Sequence, residues 1–158
     1  MSCAGTALSD PPVGYRFVSF NEALTRAGNS GKPVFVYFGR EGCGYCELTN
    51  VKGFARPEVK KRFHEHFEMT YLDAEGGKRI TLPGGERLTE AEYGTRLRAF
   101  VTPVFVFLAP DGTEALRRIG FQGAEDLLNA DRYVHEKHYI KMSYDEFMKQ
   151  NINKMQGG

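Results

Sequence analysis

Apolar runs along the chain predict the strands of a sheet. Residues 33–38 and 103–108 are continuous β-branched and aromatic stretches, which is typical of strands buried on both faces. Residues 67–73 alternate apolar and polar side chains and predict a further strand. Residues 80–88 contain Pro-Gly-Gly, so we expect a hairpin or long loop. After a Pro-Asp-Gly turn, residues 114–119 predict an antiparallel return strand.

Capping residues and helical spacing predict the helices between these strands. Three pairs have the spacing of capping boxes, namely Ser19 with Glu22, Thr89 with Glu92 and Ser143 with Glu146. Six helices are predicted. The first covers residues 20–28, the next three begin near Cys43, Pro57 and Thr89, the fifth covers residues 124–139, and the last begins after Ser143. In the helix after Thr89, we expect Tyr93, Leu97 and Phe100 to form the inward face.

The alternation of helices and strands predicts one three-layer α/β domain. Residues 1–17 are mostly small and polar with two consecutive prolines, so we expect a disordered lead-in. The domain is predicted to cover residues 18–152, and residues 153–158 to form a flexible tail. The sequence shows no internal repeat, linker or low-complexity block.

The composition argues against several classes of protein. Lys and Arg total 21 and Asp and Glu total 20, so the net charge of +1 argues against a nucleic-acid binder that relies on a basic face, although a balanced total still allows local patches. No run approaches the ~18 consecutive apolar residues of a membrane span. Three cysteines, an odd count, argue against a small disulfide scaffold. A chain of 158 residues buries enough surface to fold without disulfide bonds.

The first residues leave two interpretations of location. Residues 1–5 have neither a basic nor an apolar segment, so the sequence as given carries no signal peptide. The protein is then either cytoplasmic or derived from a longer chain whose leader was removed. Cys3 is followed by small residues, as at the start of a processed bacterial lipoprotein, so Cys3 is either a lipid anchor or a stray thiol.

The motif Cys43-Gly44-Tyr45-Cys46 carries the sharpest chemical signal. It follows a predicted buried strand and opens a helix, so two thiols three residues apart lie on one face and can form a disulfide. The helix N-terminus favours a thiolate at Cys43. We therefore expect Cys43 to be the more exposed, nucleophilic thiol and Cys46 the resolving thiol.

A zinc site is the competing interpretation of the same cysteines. Cys43, Cys46, His64 and His66 would make a Cys2His2 set. The two histidines are only two residues apart, short of the usual spacing, and would point to opposite sides of a helical turn. We therefore expect no metal. All four histidines are predicted to be solvated, namely His64, His66, His135 and His138.

The sequence Thr102-Pro103 stands at the start of a predicted apolar strand, where a proline removes one ladder donor. The order of strand, Cys-Gly-Tyr-Cys, helix, hairpin and Thr-Pro before a strand resembles the thioredoxin superfamily. That resemblance implies a thioredoxin fold, a three-layer α/β/α arrangement with a central mixed sheet and extra N- and C-terminal helices. It also implies a cis Pro103 facing the cysteines. Gly44, Tyr45 and Thr102 would join Pro103 in binding an extended substrate.

Two groups of relatives resemble the chain more narrowly. The Cys-Gly-Tyr-Cys and Thr-Pro pair is similar to the active site of periplasmic disulfide isomerases, whose dimerisation domain has no counterpart in this sequence. Ile80-Thr81, Leu88-Thr89, Gly120-Phe121 and Ser143-Tyr144 resemble the periplasmic thioredoxins associated with bacterial sulfur oxidation. This second resemblance covers residues 18–150.

The chain departs from thioredoxin beside the motif. Tyr37 stands where thioredoxin has a buried Asp that helps to deprotonate the resolving thiol. Glu41 is the nearest acid and is a possible proton relay through water, although an exposed loop charge is the favoured interpretation. Gly42 replaces the usual Trp, so we expect an open surface around Cys43.

The resemblance implies a thiol–disulfide oxidoreductase that reduces protein disulfides through Cys43 and Cys46 without a metal or organic cofactor. It implies a monomer in the periplasm, re-reduced by a membrane thiol transporter of the cytochrome-biogenesis type. Two alternatives remain. One is an oxidase or isomerase on the same fold, and the other is a non-catalytic module that holds extended peptides at Thr102 and Pro103.

Overall fold

The computed structural model describes residues 11–157, with side chains up to Lys154. Its helices are α1 (Phe20–Ser30), α2 (Gly44–Thr49), α3 (Pro57–His66), α4 (Glu90–Arg96), α5 (Ala124–His135) and α6 (Tyr144–Gly157). Its strands are β1 (Val34–Gly39), β2 (Glu68–Asp73), β3 (Arg79–Thr81), β4 (Arg87–Thr89), β5 (Val104–Leu108) and β6 (Glu114–Ile119). A π-helical segment (Asn50–Phe54) continues α2, and a 3-10 turn (His138–Ile140) follows α5. Within this part of the chain, no helix is long and apolar enough to cross a membrane.

β1 lies inside a mixed sheet with strand order β2-β1-β5-β6. It pairs in parallel with β2, from Val34 opposite Glu68 to Gly39 opposite Asp73. β5 runs antiparallel to both β1 and β6, so the predicted return strand is confirmed. β3 and β4 form the predicted hairpin as a separate two-stranded sheet.

Alternating side chains of β1 and β5 build one hydrophobic core on each face of the sheet. Phe35, Tyr37, Phe105 and Phe107 pack with residues of α3 and α5. Val34, Val36, Phe38, Val104, Val106 and Leu108 pack with residues of α1, α4 and the hairpin. Every residue of β1 and β5 is buried, which confirms the predicted three-layer arrangement. The rigid centre of this sheet fixes the start of α2.

The residues before α1 depart from the expected disordered lead-in. Pro12 is buried, and Tyr15 is only 9% exposed. The Tyr15 hydroxyl donates to the carbonyl of Phe54 at 2.8 Å, while Val18 bridges to Thr70 of β2. Because an aromatic anchor and a backbone bridge hold this segment, at least residues 11–17 are part of the folded domain. Cys3 lies outside the described residues.

Three helix ends also differ from their predictions. α4 ends at Arg96 because Arg98 has a positive φ of 55° and the Ala99 N–H reaches back to the Gly94 carbonyl at 2.7 Å. Phe100 therefore lies beyond the helix and is 67% exposed rather than inward. α5 ends at His135, before a left-handed residue at Lys137. α6 continues to Gly157, past the predicted end of the domain at residue 152.

Candidate functional site

The cysteine pair sits where β1 gives way to α2. Gly42 takes a φ of 72°, a left-handed conformation that glycine adopts without strain, and turns the chain into the helix. Cys43 is the N-cap of α2, and its Sγ accepts the N–H of Cys46 at 3.1 Å. The two sulfurs form a disulfide with Cα atoms 5.2 Å apart. The structure thus holds the oxidised form of the predicted dithiol.

Both cysteines are buried, but Cys43 is slightly more exposed than Cys46. Cys46 is fully buried, whereas Cys43 keeps 3% of its surface exposed. The neighbouring Gly44 is exposed and Tyr45 is 61% exposed. The surface at Cys43 is therefore less open than the replacement of Trp by Gly42 suggested. Of the two cysteines in the motif, Cys43 alone keeps exposed surface, which suits the predicted order of attack.

Thr102, just before β5, contacts Cys43 and is followed by Pro103. The peptide bond between them is cis. Thr102 is 4% exposed, and its hydroxyl donates to Cys43 Sγ at 3.2 Å. That hydroxyl also accepts the Nε–H of Arg40 at 2.9 Å. A guanidinium, a hydroxyl and a sulfur thus form a hydrogen-bonded chain, which would stabilise negative charge on Cys43 after reduction.

Arg40 is a site residue that the sequence reasoning missed. It stands three residues before Cys43, but its partner Thr102 is 62 residues away along the chain. A charged loop residue beside the cysteine motif was the available signal, as the same loop drew attention to Glu41. Glu41 is exposed in that loop, which fits the favoured interpretation of a solvated charge.

Tyr37 occupies the buried position beside Cys46 without supplying a base. Its hydroxyl donates to Asn50 Oδ1 at 2.8 Å and lies 3.3 Å from the carbonyl oxygen of Cys46. Burial, with a further contribution from Tyr71, raises the pKa of Tyr37 far above its ordinary range. The hydroxyl therefore stays protonated at neutral pH, so it orients the helix backbone and cannot take a proton from the Cys46 thiol.

The histidines lie apart from the cysteines. His66 precedes β2, whose first residue pairs with the first residue of β1, whereas Cys43 follows the last residue of β1. A six-residue strand separates the two ends, roughly 17–20 Å at ~3.3 Å per residue, so a shared Cys2His2 site is excluded.

All four histidines are half-buried, so the prediction that they are solvated is wrong, most clearly for His66 and His135. The side chains of His66 and His135 are only 23% and 22% exposed. Their rings stack on each other, and both bond to the buried carboxylate of Asp131. The helical spacing of each histidine gave no sign of this, because the three residues meet only when α3 packs on α5.

Exposed apolar side chains flank the cysteine end. Tyr45 and Val51 belong to α2 and its π-helical continuation, and they are 61% and 70% exposed. Phe100 and Val101 directly precede Thr102 and are 67% and 61% exposed. Apolar side chains exposed beside a reactive group are typical of a surface that contacts another protein.

Comparison with known proteins supports this geometry. A family described as thioredoxin-like domain matches residues 20–135. A thioredoxin-fold protein from Helicobacter pylori is 18% identical with a TM-score of 0.66, over 90% of this chain and 88% of that one. A thioredoxin from Thermus thermophilus is 29% identical with a TM-score of 0.62, over 77% of this chain and 88% of that one. The DsbH oxidoreductase is 17% identical with a TM-score of 0.61, over 79% of this chain and 87% of that one.

No curated protein matches the sequence significantly. The family match covers well over half of the 158 residues and contains the cysteine motif, the hairpin, Thr102 and Pro103. The solved structures repeat the fold over most of their own length. The chain belongs to the thioredoxin-like domain family, with a Cys43–Cys46 pair arranged for thiol–disulfide exchange.

Proposed function

We propose that the protein reduces disulfides of other proteins in the bacterial cell envelope. One observation carries the redox activity: the Cys43–Cys46 disulfide lies at a helix N-terminus, with Cys43 Sγ hydrogen-bonded by Thr102. The helix end and the hydroxyl both favour a thiolate at Cys43, and a thiolate is the species that attacks disulfides.

The reaction follows from the unequal access to the two sulfurs. In the reduced protein, the Cys43 thiolate attacks one sulfur of a substrate disulfide, forms a mixed disulfide and releases the first substrate thiolate. Cys46 then loses its proton and attacks Cys43 Sγ, which releases the second substrate thiolate and leaves the Cys43–Cys46 disulfide. Two electrons pass to the substrate, and an external dithiol returns them together with two protons.

The surroundings of Cys43 suit a protein substrate better than a small thiol. Gly44 leaves the approach to Cys43 free of a side chain, and Tyr45 is exposed beside it. The Thr102 hydroxyl lies against the sulfur, Pro103 follows it through a cis bond, and the apolar Phe100 and Val101 lead up to Thr102. An extended segment on either side of a substrate cysteine would contact these groups.

The direction of transfer and the location rest on resemblance. The sequence resembles periplasmic thioredoxins and is 29% identical to a thioredoxin from Thermus thermophilus. A reductase in an oxidising compartment needs a steady electron supply, for which a membrane thiol transporter of the cytochrome-biogenesis type is the proposed source. The redox cycle itself uses only the two cysteines, and the protein is proposed to act as a monomer. A lipid anchor at Cys3 and a proton relay from Glu41 stay predictions.

Reduction of insulin, with a small dithiol to recycle the protein, tests the catalytic proposal. We expect repeated turnover by the natural sequence, and none above background for Cys43→Ser. Cys3→Ser is the matched control and should keep full activity, because Cys3 lies outside the motif. Failure of the natural sequence to accelerate insulin reduction, together with peptide binding that survives Cys43→Ser, would instead support a non-catalytic binding module.

A further inference from the structure

Three residues at the far end of the sheet form a cluster that the redox reaction does not use. His66 is the last residue of α3, His135 is the last residue of α5, and Asp131 lies one turn before His135. The two imidazole rings stack with centroids 3.7 Å apart and planes 15° apart. A ligating atom of each residue lies within 4.8 Å of the others.

The hydrogen bonds define which ring nitrogens carry protons. His135 Nδ1 lies 2.9 Å from the backbone carbonyl of Asp131 and 3.1 Å from Asp131 Oδ1, and both oxygens only accept. His66 Nδ1 lies 2.7 Å from the same Oδ1. Both histidines therefore carry a proton on Nδ1. In neutral imidazole this leaves each Nε2 with a free lone pair, directed to the other side of the ring from Asp131.

This arrangement matches the support that proteins give to metal-binding histidines. A ligating histidine usually donates its second ring N–H to a carboxylate or backbone carbonyl, which fixes the ring and makes the ligating nitrogen more basic. Here one fully buried carboxylate does this for two histidines at once. Two Nε2 lone pairs from two different helices are left for an external ligand.

Three carboxylates, those of Asp131, Glu65 and Glu136, and one guanidinium, that of Arg62, surround the two rings, and this balance of charge favours a cation. Asp131 is fully buried, yet its Oδ2 has no hydrogen-bond partner among the described residues and lies 3.6 Å from Arg62 Nη1. Glu65 Oε2 lies 4.0 Å from His66 Nε2, and Glu136 Oε2 lies 3.8 Å from His135 Nε2. Both histidines also end their helices, where the negative end of the helix dipole attracts positive charge.

We propose that His66 and His135, oriented by Asp131, form a binding site for a divalent transition metal of the zinc type. Imidazole nitrogen suits zinc, copper and nickel, whereas calcium and magnesium prefer oxygen ligands. The Nε2 atoms bind the ion once the stacked rings splay towards solvent, and the flanking carboxylates of Glu65 and Glu136 are within reach of further positions. The bound ion cross-links the ends of α3 and α5, far from Cys43.

Zinc titration of the oxidised full-length chain tests the site. The titration uses protein without an affinity tag, with the Cys43–Cys46 disulfide intact and the Cys3 thiol alkylated. Under these conditions sulfur cannot supply ligands to the metal. We expect calorimetry to show one zinc ion per chain. His66→Ala and His135→Ala should each weaken binding at least tenfold, and Asp131→Asn should weaken it by about 10- to 100-fold.

His64→Ala is the matched control, because His64 lies on α3 but its Nε2 accepts the N–H of Arg16 instead of facing the cluster. It should leave zinc binding unchanged. Circular dichroism checks that each variant folds, and the two histidine variants decide the result if Asp131→Asn does not fold. Absence of stoichiometric binding, or binding that His66→Ala and His135→Ala leave intact, would show that the cluster only joins two helices.

Long-range ¹H–¹⁵N spectra of the histidine rings provide a second readout. Without metal, His66 and His135 should both appear as the Nδ1–H tautomer, and zinc should shift their Nε2 resonances selectively. Protons on Nε2 in the metal-free protein would contradict the geometry on which the proposal depends.

Discussion

The two ends of the sheet hold their reactive groups in different ways. At the end after β1, four consecutive residues supply the disulfide, and the contacts from Thr102 and Tyr37 come from elsewhere in the chain. At the other end, α3 and α5 each contribute one histidine, and His66 meets Asp131 and His135 only because the two helices pack together. The first end is flanked by exposed apolar side chains, whereas the second is surrounded by charged residues.

Because the two ends are built differently, we expect one to control reactivity and the other to control stability. Short-range geometry at α2 decides the thiol chemistry, so that chemistry should tolerate changes at the far end of the sheet. The His66–Asp131–His135 cluster links α3 to α5, so its loss should affect stability and leave the reactivity of Cys43 unchanged.

The largest effect is expected from Cys46→Ser. Without the resolving thiol, each substrate stays attached to Cys43 as a mixed disulfide, so catalytic turnover of insulin should fall to background. Mass spectrometry after one addition of substrate should show the trapped adduct. Sustained turnover by Cys46→Ser would contradict the resolving role, and Cys43→Ser, which forms no such adduct, is the control.

Asp131→Ala should lower the free energy of unfolding by about 2–3 kcal/mol, because it removes the buried acceptor shared by His66 and His135. Urea unfolding of the oxidised protein measures the loss. After reduction, the alkylation rate of Cys43 should stay within about twofold of the natural value, since additivity holds for distant sites. A large change in that rate would show that the two ends are coupled.

Thr102→Val should slow the alkylation of Cys43 at mildly acidic pH by roughly tenfold. The substitution keeps the shape of the side chain but removes a hydrogen bond to the sulfur, worth about 1.5 kcal/mol when the acceptor is charged. Rates of iodoacetamide labelling, mapped to Cys43 by peptide analysis, provide the measurement. Thr113→Val, in the exposed turn before β6, is the matched control and should have no effect.

Arg40→Gln should have the smallest effect, a slowing of about twofold to threefold in the same assay. Arg40 reaches Cys43 through the Thr102 hydroxyl, and part of its charge is screened by water. In the Thr102→Val background, Arg40→Gln should add little, because the link between them is already lost. If the effects of Thr102→Val and Arg40→Gln are instead fully additive, Arg40 acts on the Cys43 sulfur directly and not through Thr102.

Much of the fold follows from local patterns in the sequence. The apolar runs and turn residues placed the four strands of the main sheet, and the capping pairs at Thr89 and Ser143 are present as predicted. Residues 80–88, expected to be a hairpin or a long loop, form the hairpin of β3 and β4. The errors occur where a distant contact or an unusual backbone conformation decides the result. Tyr15 is held by a carbonyl 39 residues away, and the helix before Phe100 ends at a left-handed residue that a sequence pattern does not reveal.

In the candidate site too, the sequence predicts what depends on local spacing and misses what depends on distant contacts. Cys43 and Cys46 were evident because their chemistry depends on a spacing of three residues at a helix start. Arg40 and the His66–Asp131–His135 cluster were missed because each depends on a side chain more than 60 residues away. Tyr37 was identified as the departure from the thioredoxin pattern, but only the structure shows its hydroxyl bonded to Asn50.

The equilibrium reduction potential of the Cys43–Cys46 pair, measured against glutathione, tests the central claim most directly. Helix α2 and the Thr102 hydroxyl stabilise a reduced Cys43 and so limit how low the potential can be. A reductase of protein disulfides should still lie near or below the glutathione pool, at about −220 mV or lower. A value near about −120 mV, where strong oxidants lie, would contradict the account and identify an oxidase on the same fold.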